Sequence, residues 1–170
     1  MAKVFRRYKS QIHGNYRVAG LKYGVTTGLL MSLYLFVRHW LGLASPSPSD
    51  LFKDLLLIAA TFFFTWLYRK NLPDRRATLK ELMLLGVGTG LVAAVVYGFA
   101  MWLYCGVAYP GMATVYADSF RTADSTAEGY LAAQNPVMWA FFYGFLQTAV
   151  TSIIVAFFAA LLLRNEVGDS

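Results

Sequence analysis

Residues 82–109 read LMLLGVGTGLVAAVVYGFAMWLYCGVAY, and no charged side chain appears from Leu82 until after Ala117. An α-helix rises about 1.5 Å per residue, so roughly 20 apolar residues cross the hydrocarbon core of a bilayer. In lipid, each unpaired backbone N–H or C=O costs several kcal/mol, which leaves the helix as the economical form for a continuous apolar run. A transmembrane β-barrel would instead alternate apolar and polar residues over segments of about ten. Residues 79–109 therefore read as a transmembrane helix.

Working outward from this span, three more stretches have the same character. Residues 137–163 are ended by Arg164, with no charge from Gly129 onward. Residues 18–40 are apolar from Val18 to Val37 and are closed by Arg38-His39-Trp40. Residues 51–68 are ended by Arg69-Lys70. This first span exceeds the short apolar core of a cleaved signal peptide, so we expect it to remain as an anchor. The second span carries Lys53 and Asp54 in its first turn. A charge is expensive at the bilayer centre. We therefore expect both at the water interface, with Asp50 and Asp54 facing water and Ser49 or Asp50 capping the helix after Pro46-Ser47-Pro48. The fold expected is all-α: a single polytopic domain, 1–170, built as a four-transmembrane-helix bundle.

Composition agrees. Hydrophobic residues make up 58% and charged residues 14% of the chain, against roughly 25% charged in a soluble domain. The net charge of +6 is divided unevenly along the chain. Lys3, Arg6, Arg7, Lys9, Arg17, Lys22, Arg69, Lys70, Arg75, Arg76, Lys80 and Arg164 fall on one side of the membrane, with only Asp74, Glu81, Glu166 and Asp169. The other side holds Arg38, Lys53 and Arg121 against Asp50, Asp54, Asp118, Asp124 and Glu128. Basic loops stay cytoplasmic, so both termini are expected in the cytoplasm. The positive charge thus reads as a topology signal and an attraction to membrane lipid, not as a nucleic-acid surface.

Two segments lie outside the spans. The cytoplasmic leader, 1–17, places Val4, Phe5, Tyr8 and Ile12 on one helical face among basic residues, the pattern of a short interfacial helix. The periplasmic segment, 110–136, places Met112, Val115, Tyr116 and Phe120 at helical spacing, followed by Tyr130 and Leu131. A short amphipathic helix on the outer leaflet is expected there, then a turn at Gln134-Asn135-Pro136.

Small residues recur at every fourth position. The series are Gly20, Gly24 and Gly28 in span one, and Gly86, Gly90, Ala94 and Gly98 in span three. Span four carries Ala140, Gly144, Thr148, Ser152, Ala156 and Ala160. Residues four apart share a helix face, and helices in lipid associate through such close backbone approach. These stripes either pack the chain on itself or meet a lipid tail or another subunit. Span two shows no such stripe, only the bulky Phe62-Phe63-Phe64 and Trp66. Gln147 and Thr151 are polar groups within span four, and Gln147 is expected to hydrogen-bond a neighbouring helix.

Catalytic signals are sparse. Cys105 sits in an apolar run, His13 and His39 are isolated near interfaces, and no pair has metal-ligand spacing. Gly86-Val-Gly-Thr-Gly90 lacks the preceding strand of a phosphate loop. Asp118, Asp124 and Glu128 read as a solvated loop face. No cofactor, metal or enzymatic activity is expected.

Lys22-Tyr23-Gly24 opens span one, Tyr68-Arg69 closes span two, Gly86 and Gly90 sit early in span three, Tyr109-Pro110 follow it, and Ser152 lies in span four. This layout, over about residues 17–164, resembles an uncharacterised four-span inner-membrane family of Bacteroidota, domain of unknown function 4199. In that family the proline usually follows Asn or Asp, where this chain has Tyr109. The resemblance implies no activity, but its genes often neighbour glycosyltransferases that use polyprenyl phosphate. The function expected is a non-catalytic inner-membrane subunit or scaffold that docks such a protein partner, with Arg69, Lys70, Arg75 and Arg76 as partner or lipid-phosphate contacts. The rival is a homo-oligomeric translocator or binder of lipid-linked sugar, using the grooves of spans three and four.

Overall fold

The computed structural model describes residues 15–43, 51–72, 77–121 and 134–163, with the backbone alone for 119–121. The interfacial leader helix, the Pro46-Ser47-Pro48 turn with its Ser49 or Asp50 cap, Tyr130, Leu131 and Arg164 lie outside the described residues. Among the described residues, four helices are long and apolar enough to cross a membrane. They are α1 (Tyr16–Trp40), α2 (Leu51–Asn71), α3 (Leu79–Leu103, prolonged by a π-helical turn, Tyr104–Ala108) and α5 (Pro136–Leu163). A shorter helix, α4 (Pro110–Arg121), lies between α3 and α5. The chain is an all-α, multi-pass membrane protein.

Local chemistry sets the helix ends. Asn15 caps α1 by accepting from the Arg17 N–H at 3.1 Å, and Asn135 does the same for Met138 of α5 at 3.2 Å. Each side-chain oxygen satisfies one of the donors that a helix start leaves unpaired. Pro136 then occupies the first helical position, where its missing N–H costs nothing. Thr78 and Glu81 bond each other's backbone N–H at 3.2 and 3.1 Å, closing a capping box at the start of α3. After α1 the chain turns through Gly42, whose φ of 70° is readily reached only without a Cβ.

The α3 helix is the centre of the bundle, packed between α1 and α5. The α1 helix runs parallel to it: Gly24 faces Thr89 and Val92, and Gly28 faces Ala93 and Val96. The α5 helix runs antiparallel: Gly86 meets Ala156, Gly90 meets Ser152, and Gly98 meets Phe141. A Cβ on Gly24 would lie 2.5 Å from that of Val92, and one on Gly90 would overlap the Ser152 side chain. These glycines therefore set the interhelical distance. Gly144 packs in the same way against Met101 and Tyr97, Gly20 lies at ordinary contact distance from the backbone of Leu85 and Thr89, and Ala94 and Thr148 are fully buried. Gly88, between the two packed glycines of α3, points into open space.

The α2 helix closes the bundle against α5 and α1. Its buried face is the series Lys53, Leu57, Thr61 and Thr65, four apart, and not a row of small residues. The series is hard to see because lysine and leucine are not small residues. The bulky Phe63 and Trp66 face outward, while Phe64 stacks on Tyr23 of α1 at 4.5 Å. Leucine, valine, isoleucine and phenylalanine side chains cover the exterior of the bundle, as a lipid-facing surface requires.

The helix α4 differs in which face it buries. Ala113, Tyr116 and Ala117 turn inward and Met112 packs beside them, whereas Val115 is exposed. The small alanines allow the helix to seat against the π turn and α5. It is an end-cap of the bundle and not a freely lying surface helix.

Candidate functional site

Two polar clusters gather at the end of the bundle where α1 and α3 finish and α2 and α5 begin. The first centres on Lys53. Its ammonium donates to Gln147 Oε1 at 2.6 Å, pairs with Asp54 Oδ1 at 3.4 Å, and lies 5.5 Å from the centre of the Tyr97 ring. The side chain of Lys53 is 1% exposed and that of Asp54 is 27% exposed. This corrects the expectation that Lys53 lies at the water interface, while Asp54 stays partly exposed. Three attractions offset the desolvation of the ammonium: a charge-assisted hydrogen bond, an ion pair and an aromatic face. Gln147 has the interhelical hydrogen bond expected of it, and its partner is a cation.

The second cluster surrounds His39, at the last turn of α1. Its Nδ1 lies 2.5 Å from the Tyr104 hydroxyl, and its ring lies 3.5 Å from that of Tyr109. Tyr104 also hydrogen-bonds Tyr116 of α4. His39 is thus engaged, against the sequence reading of an isolated residue. The π-helical turn is what brings these rings together. Tyr109 N–H bonds the Tyr104 carbonyl five residues back, and the extra residue turns both tyrosines toward α1. Cys105, in the same turn, is free and fully buried.

At the opposite, basic end, two of the four candidate contact residues act within the chain. Arg69 Nη1 donates to the Leu163 carbonyl at 2.8 Å, satisfying an orphan acceptor at the end of α5. Lys70 sits 4.9 Å over the Trp66 ring. Arg75 and Arg76 lie outside the described residues. Thr151 is half-buried, one turn beyond Gln147. The stripe residues Gly20, Gly24, Gly28, Gly86, Gly90, Gly98 and Gly144 all meet side chains or backbone of this same chain.

The residues that sequence reasoning missed are Lys53, His39, Tyr104 and Tyr116. A signal existed for Lys53: it stands four residues before Leu57, in phase with Thr61 and Thr65, and Gln147 needed a partner. Nothing in the spacing of His39 points to Tyr104, because a π turn has no distinctive sequence here. Among the described residues no three His, Cys, Asp or Glu side chains group to hold a metal ion.

Neither a curated protein nor a solved structure matches this chain. Its residues 22–165 match one family, which takes in all four transmembrane helices nearly entire. A four-helix membrane bundle tied by glycine contacts and by Lys53–Gln147 is thus the form taken here by the proteins of unknown function DUF4199, the family to which this chain belongs.

Proposed function

We propose that the chain is a non-catalytic membrane subunit that docks a partner at its basic end, with that end in the cytoplasm. The observation that carries this reading is how the interior polar groups are used. Lys53 with Gln147, His39 with Tyr104, and Arg69 with the Leu163 carbonyl each join two helices, the first two at one end of the bundle and the third at the other. Such groups hold a scaffold in shape. Lys70, Arg75 and Arg76 remain for the partner, since Arg69 is committed to α5. The partner class is a glycosyltransferase acting on polyprenyl phosphate, which the family resemblance suggests.

The test is purification of the tagged, full-length chain from its native membranes in mild detergent. A glycosyltransferase recovered in stoichiometric amount, and lost when Lys70, Arg75 and Arg76 are neutralised together, supports the reading. Recovery of the chain with no stoichiometric partner overturns it.

One observation favours the translocator reading. A groove of about 460 Å³ is lined by Tyr34, Val37, Arg38, Leu41, Leu43 and Phe52, and Arg38 Nε donates to the Leu43 carbonyl at 2.7 Å. It would accept an apolar tail beside a cation. The grooves of α3 and α5, in contrast, are filled by each other. Vesicles reconstituted with the protein that fail to scramble a labelled polyprenyl lipid would remove this reading.

A further inference from the structure

Several hydroxyls of this bundle are satisfied within their own helices. Thr26, Ser32 and Thr65 each donate to the carbonyl four residues before them, at 3.0, 2.6 and 2.7 Å, and Ser152 donates to that of Ala149 at 2.8 Å. This is how a hydroxyl ordinarily satisfies itself within a helix. Thr27, Thr61 and Thr148 do otherwise. Each is fully buried, and its oxygen meets no hydrogen-bond partner among the described residues. An unsatisfied buried hydroxyl costs about 1–3 kcal/mol. Here three different helices each contribute one.

They stand at different depths of the bundle, each where helices meet. Thr27 lies between Tyr23, which stacks on Phe64 of α2, and Gly28, which presses on α3. It therefore faces the line where α1, α2 and α3 meet. The Thr61 methyl is 3.8 Å from where a Cβ of Gly86 would stand, at the crossing of α3 and α5. Thr148 stands midway between Gly144, set against Tyr97 and Met101, and Ser152, set against Gly90. Gln147, its neighbour in sequence, binds Lys53, and Asp54 beside that lysine keeps part of its side chain in solvent.

We propose that the interior of the bundle binds ordered water at separate positions, one at each of the hydroxyls of Thr27, Thr61 and Thr148, reached from the Lys53–Asp54 end. Buried waters typically take about three hydrogen bonds from polar groups that would otherwise go unpaired. Water fits better than an ion, because the ammonium of Lys53 and the carboxylate of Asp54 already offset each other in charge. The hydroxyls that turn away from their own helix carbonyls are those a water would bind.

The test is water-edited solid-state NMR on the full chain in lipid bilayers, with threonine side chains labelled. Magnetisation from water is expected at the Thr27, Thr61 and Thr148 methyl groups several-fold faster than at Thr65, which is equally buried but bonded to its own helix. In parallel, Thr148→Val removes the hydroxyl with little change of shape. A water-bonded hydroxyl predicts a lowered unfolding midpoint, and a dry, unpaired one predicts a raised midpoint. Transfer no faster than at Thr65, or a midpoint raised by Thr148→Val, overturns the proposal.

Discussion

Lys53 reaches from the first turn of α2 to the middle of α5, where its Nζ lies 2.6 Å from Gln147 Oε1. Arg69 and Leu163 make a second bond between the same helices, with the same sequence separation of 94 residues. Equal separations mean that α2 and α5 run parallel and in register, pinned at points about 24 Å apart along the axis. Between the pins lie Leu57, Thr61 and Thr65, all buried. The bundle is thus held in two ways: α1, α3 and α5 by close backbone approach at glycine, and α2 largely by polar contacts near its ends.

Lys53→Met should lower stability by about 3 kcal/mol, because it leaves Gln147 and the Asp54 carboxylate without their partner in a poorly solvated place. Replacing the whole set, Lys53→Met with Asp54→Asn and Gln147→Leu, should recover most of the loss. Thermal unfolding in detergent micelles reads both variants. A triple variant less stable than Lys53→Met would contradict the pairing.

Adding one methyl group separates the glycines by role. Gly24→Ala and Gly90→Ala should each destabilise by about 1–3 kcal/mol, since the new Cβ would press on Val92 or Ser152. Gly88→Ala meets nothing within 4 Å and should stabilise the helix by about 0.5–1 kcal/mol. Denaturation midpoints in that order are expected, and the reverse order would mean that α3 packs through a different face.

Arg69→Ala should cost about 1.5–3 kcal/mol through the lost charge-assisted bond to the Leu163 carbonyl. Lys70→Ala should cost about 0.5–1 kcal/mol, the worth of an exposed cation over an indole. Copurification of a partner should respond in the opposite sense, falling with Lys70 neutralised and persisting in whatever Arg69→Ala protein still folds. Parallel measurement of midpoint and partner yield checks the assignment.

Cys105 is fully buried, so a maleimide should modify the native chain only after unfolding. On a Cys105→Ala background, exposed Asp118→Cys should react with a membrane-impermeant maleimide on intact cells. Lys80→Cys, at the basic end, should react only once the membrane is opened. The opposite pattern would invert the orientation and remove the cytoplasmic docking face with it.

The four spans, their approximate limits and the glycine stripes were legible in the amino-acid order, because a bilayer leaves a long uncharged segment almost no structure but a helix. The inward turn of Lys53 was not legible. A lysine at the third position of a transmembrane helix reaches water or the interior equally well, and the choice depends on an acceptor 94 residues away. His39 poses the same problem, since its partner Tyr104 is aimed by a π turn and secured by Tyr116 of α4. Sequence alone determined that this chain crosses the membrane and which helix faces are smooth. Tertiary structure decided which polar side chains lie inside, because burying a charge or a hydroxyl is tolerable only where another helix supplies its partner.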